Sequence, residues 1–130
     1  MKYVILIHSN PRPWGHPTAD YVPEFQALPE EERAAMHADF ERRLGELSER
    51  GELLGGEALG DAASARLYRW TDGETLATDG PYSEAKEHLA GFFLIDVASP
   101  ARAEEVAAKF SGPGETVELR PAMWPGGDDQ

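Results

Sequence analysis

The sequence predicts a single α+β domain built on an antiparallel sheet. Two short apolar runs, Val4–Ile7 and Gly91–Val97, are typical of buried strands. Helical patterns follow each run, and the elements come in the order β-α-β-hairpin-β-α-β. Right-handed crossovers then place both helices on one face of the sheet, which is a ferredoxin-like arrangement with an extra hairpin. A length of 130 residues suits one such domain.

The two helices carry recognisable start signals. The first is predicted over Pro29–Arg50, because proline suits a first helical position and three glutamates follow at the positive end of the helix dipole. Its apolar residues recur at helical spacing and are expected to face the core: Met36, Phe40, Leu44 and Leu47. The second helix is predicted to begin after Ser99 as N-cap, with Pro100 at its first position.

The remaining strands are shorter or weaker. Asp72-Gly73 is a strong signal for a two-residue hairpin turn. It joins two strands predicted over Ala65–Thr71 and Glu74–Thr78. Two further strands are predicted over Leu53–Leu59 and Thr116–Arg120.

A long proline-rich loop is predicted over Ser9–Leu28, within a domain that spans residues 1–124. Loops of this length are often functional or mobile. Trp14 and Tyr21 in this loop either line a small-molecule pocket or hold the loop in place. The tail at 125–130 is rich in Gly and Asp and is predicted to be flexible.

Composition excludes several classes of function. The formal net charge of −12 disfavours nucleic-acid binding, which normally requires a basic surface. The absence of cysteine excludes disulfides, thiol nucleophiles and thiolate metal sites. No run approaches the roughly 20 apolar residues of a membrane helix, and the N-terminus lacks the pattern of a signal peptide. A cytoplasmic protein without membrane association is expected.

Both faces of the two main strands are apolar, which predicts a homodimer. Side chains alternate between faces along a strand, so Ile5 and Leu6 point in opposite directions, as do Phe92 and Phe93. Two helices cover only one face of the sheet, and the other face needs a cover. A second subunit related by a two-fold axis is the simplest cover, and the Ser9–Leu28 loop is the alternative.

The segment from Asp79-Gly80-Pro81-Tyr82 through Glu84-Ala85-Lys86-Glu87 to Gly91-Phe92-Phe93 is the most distinctive in the chain. It resembles the signature of the YCII-related (DGPF-motif) family, with Tyr82 in place of the usual Phe. The resemblance implies a dimeric α/β barrel. Some YCII-type proteins are linked to lyase-like or dehalogenating chemistry through a His–Asp pair, and relatives occur beside extracytoplasmic-function sigma factors. Labels of some relatives as methyltransferases or DNA-binding proteins do not fit this sequence, which has no Gly-rich nucleotide loop and no basic patch.

Topology brings the candidate site residues to one end of the sheet. If the two main strands are antiparallel neighbours, His8 lies opposite Gly91, where the Asp79–Ala90 segment ends. His8 and Asp79 are therefore candidates for acid–base catalysis, although Asp79 could instead fix the turn. The candidates for substrate binding are Tyr82, Glu84, Lys86, His37 and Trp14.

The sequence is compatible with two classes of function. One is a small enzyme without cofactor or metal, which performs elimination, isomerisation or hydrolysis on a small molecule. The other is a non-catalytic ligand-binding or regulatory module, associated with a sigma factor. An enzyme should show a cleft with convergent polar groups.

Overall fold

The computed structural model describes residues 1–83 and 85–123. Glu84, Trp124 and the tail at 125–130 lie outside the described residues. Within them the chain forms six strands, three α-helices and two short 3-10 helices, Thr18–Tyr21 and Ala62–Ser64. The main elements are β1 (Lys2–Ser9), α1 (Pro23–Gln26), α2 (Glu30–Glu49), β2 (Leu53–Ala58), β3 (Arg66–Thr71), β4 (Glu74–Asp79), β5 (His88–Asp96), α3 (Pro100–Phe110) and β6 (Thr116–Pro121).

The strands form two antiparallel sheets. The main sheet has the order β2-β5-β1-β6, so the two strongest apolar strands are central neighbours, as predicted. β3 and β4 form a separate two-stranded sheet, which is the predicted hairpin. Its turn has φ values of 49° at Asp72 and 82° at Gly73, the left-handed conformations that a tight hairpin turn requires. The α+β class is confirmed, and both sheets are open within the described residues.

One face of the main sheet, here called the inner face, forms the core with α2 and α3. Its central residues Tyr3, Ile5 and Ile95 are buried. They belong to one hydrophobic cluster with Leu47 of α2 and Val106 of α3. Each fully buried aliphatic side chain contributes about 1.5–3 kcal/mol through removal of apolar surface from water. Both long helices therefore contribute to the core on one face of the sheet.

The opposite face, here called the outer face, also carries apolar side chains. Val4, Leu6, Phe92 and Leu94 form a strip across β1 and β5, since they pair with each other in register. All four are half-buried and lie outside the core cluster. Ionisable side chains surround the strip: Lys2, His8, Glu57, Asp96, Glu118 and Arg120.

The apolar stripe of α2 is shorter than predicted. Leu47 is buried and Phe40 packs against Phe93, but Met36 is 40% exposed. The first turns of α2 lie against the Ser9–Leu28 loop instead of the sheet, since His37 contacts Asp20 and Phe25 there. Helical spacing alone does not reveal where a helix leaves the core.

The Ser9–Leu28 loop is more ordered than predicted. It contains the 3-10 helix Thr18–Tyr21 and the short helix α1, and it buries Val22 and Phe25. Trp14 and His16 bind the carbonyl of Leu59 just beyond β2. The hydroxyl of Thr18 donates a hydrogen bond to Glu115 just before β6. Because β2 and β6 are the two edges of the main sheet, the loop connects both edges.

Candidate functional site

A cleft opens at the end of the main sheet where β1 ends and β5 begins. Its volume is about 320 Å³. Three segments meet there: the start of the Ser9–Leu28 loop, the short 3-10 helix after β2, and the motif that precedes β5. The lining residues are Asn10, Pro11, Arg12, Pro13, Trp14, Asp61, Ala62, Ala63, Pro81 and His88.

Local hydrogen bonds hold the first two segments in place. The indole Nε1 of Trp14 donates to the carbonyl of Leu59 at 3.0 Å, and the backbone N–H of Arg12 donates to the carbonyl of Tyr21 at 2.9 Å. The Asp61 side chain caps its own 3-10 helix by accepting the N–H of Ala63 at 2.9 Å. The predicted role of Trp14 in a pocket is therefore compatible with its position, and its indole also fixes the loop.

The Asp79–Tyr82 motif brings Pro81 to the cleft through a close backbone approach. The N–H of Gly80 donates to the carbonyl of Ala65 at 2.7 Å. A Cβ atom at Gly80 would lie 2.9 Å from the Cβ of Ala65, so a larger residue would push the two segments apart. Gly80 of the motif is therefore required for steric reasons.

His8 lies at the end of β1 on the outer face. Its Nε2 is 2.8 Å from Oε1 of Glu118 on β6. The main-sheet register shifts between Ile7 and His8, so His8 pairs with Leu89 and not with Gly91 as predicted. This irregularity places Ser9 opposite His88, a residue that lines the cleft. His8 does not line the cleft; it precedes the loop that forms one wall, and its side chain lies beside the apolar strip on the outer face.

Asp79 contacts a different partner. Its carboxylate accepts a hydrogen bond from Arg66 at 3.0 Å, across the base of the hairpin, and its side chain is 82% exposed. His8 and Asp79 are thus bound to Glu118 and Arg66 respectively, and they do not hydrogen-bond each other. A catalytic role for either residue stays a prediction.

The other predicted site residues are dispersed. Tyr82 is 79% exposed, with the guanidinium of Arg69 5.8 Å from its ring centre. His37 is bound to Asp20 at 2.7 Å on the surface of α2. Neither lines the cleft. Lys86 is exposed, and Glu84 lies outside the described residues.

Sequence reasoning missed Arg12, Asp61 and His88 as lining residues. Antiparallel pairing of β1 with β5 places His88 opposite Ser9 at the end of β1, which is the signal that could have identified it. Arg12 and His88 supply hydrogen-bond donors, Asp61 an acceptor, and Trp14 an aromatic surface. Such a mixture is suited to a small polar molecule with a flat apolar part.

A buried ion pair lies away from the cleft. Arg102 of α3 binds both carboxylate oxygens of buried Glu52, at 3.0 and 2.8 Å. These hydrogen bonds hold the pKa of Glu52 below its ordinary value and raise that of Arg102. The pair packs α3 against the start of β2, so it stabilises the fold.

Two further findings bear on function. Across residues 1–83 and 85–123, no group of three His, Asp or Glu side chains converges as a metal site would require. In the same part of the chain, none of the helices combines the length and the apolar character needed to span a bilayer.

Comparison with known proteins identifies the family. The chain is 38% identical over 76 residues to an uncharacterised protein of Rhizobium meliloti (strain 1021), a match that covers 56% of this chain and 61% of that relative. The YCII-related domain matches residues 1–117, which is nearly the whole described chain. The protein therefore belongs to the YCII-related domain family.

Proposed function

We propose that this protein binds a small polar molecule in the cleft beside Trp14 and His88. The cleft itself is the observation that carries this proposal. A volume of about 320 Å³ is at the lower end of the roughly 300–1,000 Å³ typical of small-molecule sites. The indole of Trp14 offers a stacking surface, and Arg12 and His88 offer donors to an anionic group. A small organic acid with a flat apolar part fits this chemistry.

Acid–base catalysis by His8 is the second part of the proposal; because His8 does not line the cleft, the reacting atom of the bound molecule would have to extend past the end of β1 toward the outer face. Imidazole titrates near neutral pH, and a carboxylate partner orients the ring and fixes its tautomer. Glu118, rather than Asp79, supplies that carboxylate, because it is already 2.8 Å from Nε2. The reaction would be an elimination, isomerisation or hydrolysis without an organic cofactor: His8 would move a proton in each, while an elimination also releases a leaving group and a hydrolysis consumes a water molecule.

A homodimer across the outer face completes the proposal. The strip of Val4, Leu6, Phe92 and Leu94 is apolar and is excluded from the core cluster. A second copy placed there would bury the strip and reduce water around the adjacent His8–Glu118 pair, which strengthens electrostatic interactions. The dimeric α/β barrel of the family is the arrangement we propose.

Binding is tested by fluorescence of Trp14 in a variant with Trp70→Phe and Trp124→Phe. We expect a saturable change in Trp14 emission with at least one member of a panel of small aromatic and unsaturated acids. Arg12→Gln should weaken that binding by about tenfold through loss of a charge-assisted hydrogen bond. Arg69→Gln, which removes an arginine outside the cleft, is the matched control and should leave binding unchanged. A panel without any saturable response contradicts the proposal.

Catalysis is tested separately with whichever acids bind. Each is incubated with the protein in D₂O, and NMR follows exchange of its C–H protons or conversion to a product. His8→Gln should abolish exchange while Trp14 still reports binding, and Glu118→Gln should reduce exchange. Binding without exchange or conversion in the unmodified protein would favour the non-catalytic alternative, a ligand-sensing module of the kind that could act with a sigma factor.

A further inference from the structure

The hairpin formed by β3 and β4, here called the arm (Arg66–Asp79), is separate from the main sheet. It makes its own two-stranded sheet, and among the described residues no strand of the main sheet pairs with it. All of its residues are exposed except Leu67, which is half-buried. Its turn and its strand pairing are regular, with six consecutive residue pairs from Arg66–Asp79 to Thr71–Glu74. The strand pairing of the arm is thus regular, but almost all of its residues are exposed to solvent.

The two faces of the arm differ. Tyr68 and Trp70 lie on one face, opposite Ala77 and Thr75, and are 67% and 73% exposed. The other face carries Leu67, Arg69 and Leu76, and there Arg69 lies over the ring of Tyr82. The face with Tyr68 and Trp70, here called the aromatic face, has no such intramolecular contact of an aromatic ring within the described residues.

Physical chemistry makes an uncovered aromatic face unfavourable. An isolated two-stranded hairpin is marginally stable in water, and it normally needs a further strand or a packing partner. Tyr and Trp are enriched in protein interfaces because each buries a large area and keeps a polar group available. The arm has two neighbouring exposed aromatic side chains, and both of its strands are edge strands. These features indicate a docking surface.

We infer that the aromatic face of the arm packs against a second copy of this chain, as a second contact of the homodimer proposed above. Charge supports this choice of partner. The chain carries −12, and α2 holds seven carboxylates against three arginines. On the aromatic face of the arm, the charges of Arg66 and Asp79 cancel, and the two side chains pair with each other at 3.0 Å. Two copies of so acidic a protein repel each other least where the surface is near neutral.

The outer face of the main sheet is also close to neutral, because Lys2 and Arg120 stand against Glu57, Asp96 and Glu118, a formal charge of −1. The aromatic face and the apolar strip therefore both combine apolar side chains with a low formal charge, so both could be buried between two acidic subunits. An anionic membrane or a nucleic acid would instead require a basic arm.

The test uses Trp70 as its own reporter in a variant with Trp14→Phe and Trp124→Phe. Sedimentation velocity gives the concentration range over which monomer becomes dimer. Across that range the emission of Trp70 should shift to shorter wavelength, and its quenching by acrylamide should fall, because its indole leaves water. A dimer in which Trp70 stays as exposed as in the monomer contradicts the arm contact alone. A monomer at every concentration contradicts both the arm contact and the proposed dimer.

Substitution provides an independent measurement. Trp70→Ser should raise the dimer dissociation constant by about tenfold per arm, hence about a hundredfold in a two-fold dimer where the change occurs twice. Leu76→Ser is the matched control, because Leu76 is an exposed apolar residue on the opposite face of the same arm. It should change the constant little. Equal effects of the two substitutions would overturn the assignment of the aromatic face, and capture of an unrelated protein by a monomeric chain would identify a different partner.

Discussion

The buried ion pair between Glu52 and Arg102 offers the sharpest test of how this fold is held together. We expect Glu52→Gln to lower the free energy of unfolding by about 2–3 kcal/mol. Glu52 accepts two hydrogen bonds from Arg102, at 3.0 and 2.8 Å, and a bond to a charged group contributes about 1.5–3 kcal/mol. Glutamine keeps one neutral acceptor, which offsets part of the loss. Breaking a fully buried pair costs about 3–5 kcal/mol, so this estimate allows for the partial exposure of Arg102.

The difference in unfolding free energy between the native protein and Glu52→Gln should depend on pH with a definite sign. The pKa of Glu52 in the folded protein is lowered, chiefly by the hydrogen bonds from Arg102. Its stabilisation is therefore complete above the ordinary glutamate value of about 4.3 and is lost as pH falls through the lower folded pKa. The difference between the native protein and Glu52→Gln should stay constant from pH 7 to about pH 5, then shrink under more acidic conditions.

The assay is urea unfolding followed by circular dichroism at fixed protein concentration, because dimerisation would make stability depend on concentration. Glu46→Gln is the matched control: it makes the same substitution in the exposed pair of Glu46 with Arg42 and should have no measurable effect. A Glu52→Gln protein as stable as the native one at pH 7, or a difference that persists unchanged at pH 3, would refute the reasoning.

Three further substitutions test other parts of the structure. Leu6→Asp on the outer face should yield a monomer by sedimentation or an unfolded chain, because burial of an unpaired charge is costly; a stable dimer would contradict the interface. Ser99→Ala should cost about 1 kcal/mol in urea unfolding, since it removes the cap that accepts the N–H of Arg102. Gly56→Ala should lower the melting temperature, because its Cβ would lie 2.5 Å from the carbonyl of Phe92; an unchanged melting temperature would show that β2 moves freely.

Much of the fold could be predicted because its signals are local. The apolar runs of β1 and β5, the Asp72-Gly73 turn and the Ser99 cap each act within a few residues, and each lies where the sequence indicates. Order within the Ser9–Leu28 loop was not predictable in this way. It depends on contacts with distant segments, such as Trp14 with Leu59, which no local pattern specifies.

The candidate site was predicted less well, for the same reason. Antiparallel pairing of β1 with β5 follows from topology, and it brings the end of β1 beside the start of β5, where the cleft opens. The partner of His8 could not be predicted. A register shift beside Ile7 and the position of β6 bring Glu118 within hydrogen-bond distance of His8. A shift of one residue in register changes every cross-strand neighbour.

The loop that joins both edges of the main sheet has a consequence for how the protein opens. Edge strands usually fray independently and exchange their amide hydrogens faster than central strands. Here Trp14 and His16 hold the chain beyond β2, while Thr18 holds the chain before β6. Release of one edge strains the contacts at the other, so β2 and β6 should exchange as one cooperative unit, even though two strands separate them.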